Sequence, residues 1–310
     1  MNKIRRYSIS IILIIVSGIS ACNYPTPTPE GQTFSVVPVY EDMLAYINAA
    51  REAEDPDLEA LLESHVLAPN WETCAGNEYR PPPGSIFDKP IQDLDALEEI
   101  IHQLQKSDIE KVVKAALQKS AQKLEGPDTT VCIIAADPTN WFIQDRMHGV
   151  NGWTFGAGKI ILQVNPAPGW QKWVPYIIAH EYHHSAWTDR YYQLDDQETL
   201  IENLVFEGKA DSFAHIIYPT MKVPWVSALS AEEEQVQWEK IQDKSETTST
   251  LVKTRFMVGG DQNTPTWTGY TIGYHIVQSY LDAHPQADIE TWTELSPQVL
   301  LEQSEYQGGY

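Results

Sequence analysis

An α+β fold is predicted, with a mainly helical N-terminal part, and three observations point to it. Amphipathic stretches fill most of residues 40–124; two β-branched runs, residues 129–136 and 159–165, follow a break at Gly126-Pro127; and a helix over residues 171–187 carries clustered histidines after the second run. The chain has 310 residues, enough for one large domain or two lobes with a substantial core. It shows no internal repeat.

The first residues read as an export signal. Lys3, Arg5 and Arg6 precede the apolar run of residues 11–16, and Ile19-Ser20-Ala21-Cys22 resembles a lipobox. A basic start, a short apolar run and small residues before the cut predict a signal peptide over residues 1–21, with Cys22 lipidated as the mature N-terminus. The alternative is an ordinary signal peptide with an incidental cysteine. Residues 22–35 open with a Pro/Thr-rich stretch that cannot build a core, as expected of a tether between membrane and domain. Removing residues 1–21 takes three positive charges and no acidic ones from a chain of net charge −22, leaving −25. Such a surface argues against binding nucleic acid, or anionic lipid, through a basic patch.

Residues 36–125 form the helical N-terminal region, with helices expected over 40–53, 57–65, 93–104 and 107–124. Ser107-Asp-Ile-Glu110 has the capping-box pattern that opens the last of these, and Arg80-Pro-Pro-Pro-Gly84 marks a loop. Besides Cys22, only Cys74 and Cys132 are present, a pair compatible with one disulfide in an exported protein or with two separate thiols. Residues 129–136 read as a buried strand. The glycines of residues 149–158 read as tight turns or a flexible rim before the second strand. Trp141, Trp153, Trp170, Trp173, Trp187, Tyr191 and Tyr192 cluster here and are expected mainly in the core, a substrate groove being the alternative.

The next helix carries the chemistry. His180-Glu181-Tyr182-His183-His184 is an H-E-x-x-H, and histidines four apart on a helix share one face, so both can reach one metal ion. Glu181 then lies near the open position and can take a proton from water there. Pro175 suits the first turn, and His183 is a neighbour of the site.

A tetrahedral zinc site needs a third protein ligand. After a helix start at residues 195–198, Leu200, Leu204, Glu207 and Asp211 form one stripe, apolar and then acidic. Glu207 as third ligand, with Asp211 accepting the free ring N–H of a ligand histidine, explains two carboxylates on that stripe. In the alternative the helix is rotated and both are solvated. Gly208 lets the helix approach a neighbour.

Ser230-Ala-Glu-Glu233 opens a surface helix to about Asp243, and another helix is expected from Thr268 to Leu281, with Gly269 and Gly273 suited to close packing. Tyr270, Tyr274 and His275 on that helix are candidates to stabilise an oxyanion, aromatic packing being the alternative for each. Ser296-Pro297 starts a last short helix, and residues 307–310 read as a loose end.

H-E-x-x-H followed by Glu207-x-x-x-Asp211 resembles the gluzincin metallopeptidases, the thermolysin-like group. Ala179 to His184 and Leu200 to Ala214 more closely resemble a bacterial domain described as a predicted zinc-dependent protease, over residues 129–281. The resemblance implies a zincin-like metallopeptidase core in residues 126–310. It implies Zn2+ held by His180, His184 and Glu207, with Glu181 as general base and Asp211 behind a histidine. It also implies that the strand before the metal helix, residues 156–164, borders the cleft and can pair with a peptide, a plain inner strand being the other reading. The expectation is a membrane-tethered zinc metallopeptidase in the cell envelope, cutting a peptide or protein substrate with a zinc-activated water. The rival expectation is a non-catalytic zinc-containing lipoprotein that serves as a binding module.

Overall fold

A computed structural model describes residues 31–76, 89–192 and 198–310. The signal peptide, Cys22, tether residues 22–30, the Arg80–Gly84 loop and residues 195–197 lie outside these. Four strands form one mixed sheet: β1 Phe34–Val37, β2 Thr129–Ala135, β3 Val150–Gly156 and β4 Lys159–Val164, in the order β1-β2-β4-β3. β1, β2 and β4 run parallel, with Phe34 opposite Thr129 and Thr130 opposite Lys159. β3 runs antiparallel to β4, Val150 opposite Val164. Val131 and Ile133 of β2 and Ile160 and Leu162 of β4 are fully buried. Strands covered on both faces carry the continuous apolar runs that made these two legible in the sequence.

Around the sheet stand α1 Asp42–Glu52, α2 Leu58–Leu62, α3 Ala68–Cys74, α4 Leu94–Gln105, α5 Ile109–Ala121, α6 Val174–Tyr191, α7 Leu200–Ile217, α8 Ala231–Gln242, α9 Thr250–Val258, α10 Thr268–Ala283, α11 Ile289–Glu294 and α12 Pro297–Ser304. A π-helical turn, Glu63–Leu67, joins α2 to α3, so the helix expected over 57–65 continues to Cys74. Among the described residues no helix is long and apolar enough to cross a membrane. α6 is buried on all sides from Tyr176 to Ala186, the mark of a central helix. α5 and α7 pack on it, β3 lies across it, and α10 packs on α7.

Several expectations are corrected. The tether does not extend to residue 35, because Phe34 and Ser35 already pair with β2. The division at 125 and 126 does not part the core, which is one cluster from Val39 to Tyr306. Residues 149–158 are not merely turns. Most of them form β3, whose glycines imitate a turn in the sequence. The capping box at Ser107 is not made: the N-cap is Asp108, and Ser107 Oγ donates instead to the Leu104 carbonyl at 2.6 Å. α7 starts with a capping box formed by Thr199 and Glu202. α9 was not foreseen. The C-terminal residues are docked, Tyr306 edge-to-face with Trp238 and Tyr310 donating to Asp282 at 2.6 Å.

Two features fix the layout. Cys74 at the end of α3 is bridged to Cys132 in β2, with Cα atoms 5.6 Å apart, which ties the N-terminal helices to the sheet. Where α7 meets α10, a Cβ on Gly208 would lie 2.1 Å from the Gly273 oxygen, and one on Gly273 would lie 2.0 Å from the Leu204 oxygen. Only glycines permit backbones to meet this closely.

Candidate metal centre

α6 and α7 bring three predicted ligands to one point. His180 Nε2 and His184 Nε2 are 3.0 Å apart, and Glu207 Oε2 lies 3.1 Å from the first and 3.4 Å from the second. One ligand atom from each lies within 4.8 Å of the others, a group that could hold a metal ion. His180 Nδ1 lies 3.1 Å from Asp211 Oδ1. A neutral His180 that gives its Nδ1 proton to Asp211 presents a lone pair at Nε2, toward His184 and Glu207. With His184 likewise protonated at Nδ1, three lone pairs converge on one point, which fits a cation, and two imidazoles with one carboxylate suit zinc.

The charges behave accordingly. Burial alone would lower the His180 pKa, but Asp211 and Glu207 outweigh it and raise it well above the usual histidine value. Burial works against Glu207 ionisation, and His184 and His180 overcome it, holding the carboxylate far below its usual range.

Asp211 is fully buried and is held by more than His180. Its Oδ1 accepts from Tyr176 Oη at 3.1 Å and from Trp225 Nε1 at 2.9 Å. Neither partner was visible as such in the sequence: Trp225 stands 14 residues downstream and Tyr176 35 upstream. His184 stacks on Phe206 with centroids 4.0 Å apart, and its Nδ1 has no hydrogen-bond partner. His183 points away, stacked on Trp292 and 3.2 Å from Thr293 Oγ1.

Glu181 is 6% exposed and lines the same cleft. Burial raises its pKa, while His180, His184 and a hydrogen bond from Thr154 oppose the rise. The cleft, of about 380 Å³, is bounded by β3, by the segment around Phe142 and by Tyr270 and Trp267 at the start of α10. Tyr270 reaches it, and burial, then Glu207, Asp211 and Glu181, keeps its hydroxyl protonated far above the usual value. Tyr274 does not line the cleft. It sits one turn further along α10, ring-to-ring with His215 and His275, and His275 Nδ1 is engaged by Glu234 at 2.9 Å.

The expected peptide edge also moves. β4 has neighbours on both sides, so residues 156–164 are mostly an inner strand, and the open edge next to the metal helix belongs to β3. Of the aromatics, Trp170 and Trp173 are core, whereas Trp153 is 46% exposed and lines the cleft, and Trp141 is 60% exposed. A second cavity of about 360 Å³ lies on the other face of the sheet against Met43, Val66, Trp71 and the disulfide. Among the described residues its charged groups are Lys89 and Asp137, and the metal-ligating cluster lies in the cleft instead.

The uncharacterized protein YjfC of Bacillus subtilis (strain 168) is 25% identical over 233 residues, covering 69% of this chain and 76% of that protein. No solved structure matches the chain. A family described as a predicted Zn-dependent protease matches residues 109–302, a span that holds the whole cluster and its cleft. The chain belongs to that family of predicted Zn-dependent proteases.

Proposed function

We propose that the protein is a zinc metallopeptidase with a zincin-like core, in which His180, His184 and Glu207 hold the metal. The observation that carries this is the convergence of His180 Nε2, His184 Nε2 and Glu207 Oε2, with Glu181 beside them in an open cleft. Bound zinc would polarise the scissile carbonyl and acidify the attacking water. Glu181, buried and raised in pKa, takes the proton from that water and passes it to the leaving amine. The Tyr270 hydroxyl, held protonated, donates to the developing oxyanion. Asp211 keeps the His180 ring in one tautomer. An extended peptide adds to the open edge of β3 by main-chain hydrogen bonds.

The same proposal includes a setting outside the cytoplasm, with the chain tethered through a lipidated Cys22. It rests on the pattern of residues 1–30, and a bridged Cys74–Cys132 pair suits an oxidising compartment. The test compares zinc content and peptide cleavage in the parent and in His184→Ala. About one zinc per chain with cleavage in the parent, both lost in the variant, is the expected result. Zinc bound equally by both proteins would remove the proposed ligand set. Zinc held without cleavage of any peptide offered would leave a zinc-containing binding module.

A further inference from the structure

Two β3 residues face α6, Gly152 and Thr154, and both meet Glu181. Thr154 Oγ1 lies 2.8 Å from Glu181 Oε2 and 2.9 Å from the Glu181 backbone oxygen. A Cβ on Gly152 would stand 2.5 Å from Glu181 Cγ and 2.8 Å from Oε1. Gly152 is not among the residues with positive φ, so its backbone conformation is open to any side chain. The carboxylate, together with Ile177 Cγ2 at 2.8 Å, is what takes up the space. One helical turn along α6, the Gly158 N–H donates to Ser185 Oγ at 2.7 Å and holds the β3–β4 turn against the helix.

The physical need for such a clamp is plain. Glu181 stands between His180 and His184 on α6, at the wall of the cleft that both line, and helix geometry alone does not fix where its carboxylate points. Left free, it would move toward the ligand cluster and compete there as a further donor. A charge-assisted hydrogen bond from a strand residue, with an empty Cβ position next to it, opposes that motion.

We propose that Thr154 and Gly152 are positioning residues for Glu181: the hydroxyl holds one carboxylate oxygen, and the absent side chain leaves room for the other. The inference rests on Glu181 being the general base. Because both residues lie on the strand whose free edge is available to a peptide, one element then orients base and substrate together.

The test uses Thr154→Val, Thr154→Ser and Gly152→Ala in the otherwise unaltered chain. It reads zinc content, kcat and KM on a cleaved peptide, and the Glu181 position in crystals of the variants. Thr154→Val is expected to keep about one zinc per chain and its KM while kcat falls about 10- to 100-fold, the scale of a misplaced catalytic group. Thr154→Ser should restore kcat, since it restores the donor. Gly152→Ala should displace the Glu181 carboxylate. Parent-like kcat in Thr154→Val, or zinc lost in step with activity, would overturn the positioning role. If the zinc-loaded parent cleaves no peptide, the peptidase reading fails by itself. The crystals then decide: a Glu181 carboxylate shifted in Thr154→Val supports the clamp, and an unmoved one refutes it.

Discussion

Two buried clusters in this protein are built from the same residue types and behave differently. In one, Glu234 Oε1 accepts from His275 Nδ1 at 2.9 Å and from the Tyr306 hydroxyl, and the group is closed in by α8, α10 and the C-terminal residues. In the other, His180, His184 and Glu207 turn lone pairs toward one another at the wall of a cleft. The first cluster pairs two donors with one carboxylate oxygen in a closed interior, while among the described residues Glu234 Oε2 is left without a partner. The second brings two imidazole nitrogens and a carboxylate oxygen together, and with both histidines protonated at Nδ1 it offers a cation three lone pairs. Burial of histidines and carboxylates therefore does not identify a site, whereas an unmatched set of acceptors with access to solvent does.

The contrast can be broken or sharpened by experiment. The largest effect is expected from Glu181→Gln, which should retain zinc and lose about 10²- to 10⁴-fold in kcat, as measured by peptide turnover and metal analysis. Unchanged turnover would dismiss Glu181 as the base. Asp211→Asn comes next: it removes the charge behind His180, and zinc affinity measured by competition with a chelator should weaken about 10- to 100-fold. Tyr306→Phe probes the closed cluster. It deprives buried Glu234 of a donor and should cost about 1–3 kcal/mol in urea unfolding with zinc binding untouched, and a fall in zinc content would show that the clusters are coupled.

The smallest effect is a matter of pH. Tyr40, Tyr182, Tyr218 and Tyr274 are each pushed up to about 12, chiefly by burial, and Tyr306 rises further through burial and Glu234. The unfolded chain ionises these hydroxyls from their ordinary value of 10.0, and the folded chain does so later. Their contribution to stability is thus complete below pH 10 and is lost as pH climbs through about 12. Circular dichroism followed against pH should show unfolding in that window. An onset well below it would point to another group.

The site was more legible than its surroundings. Helical spacing makes His180 and His184 neighbours, and the stripe of Leu200, Leu204, Glu207 and Asp211 carried the second helix, because both patterns are local. What escaped depends on tertiary contact. Tyr176 and Trp225 meet Asp211 only after α6 and α7 pack, and Tyr274 and Tyr270 are equivalent until the direction of α10 is known. Gly152 and Thr154 were hidden by composition: the glycines of β3 imitate a turn, although Val150 and Phe155 are buried. The order of strands likewise has no local signature, so an inner strand and an edge strand read alike in the sequence. α8 was readable from its Ser230 and Glu233 capping box, while Thr199 and Glu202 carried the same signal one position later than the acidic start that drew attention.

The glycine seam between α7 and α10 also bears on how the cleft can move. Gly208 and Gly273 touch through backbone atoms, and Glu207 and Tyr270 stand on either side of that seam. Side chains can change rotamer to absorb a shift, but two main chains in contact cannot slide without separating. Glu207 and Tyr270 thus belong to one stationary jaw. Thr154 and the Gly158 turn hold β3 to α6, so any closing on a substrate falls to the segment around Phe142, and travel measured between labels on that segment and on α7 should come from the segment.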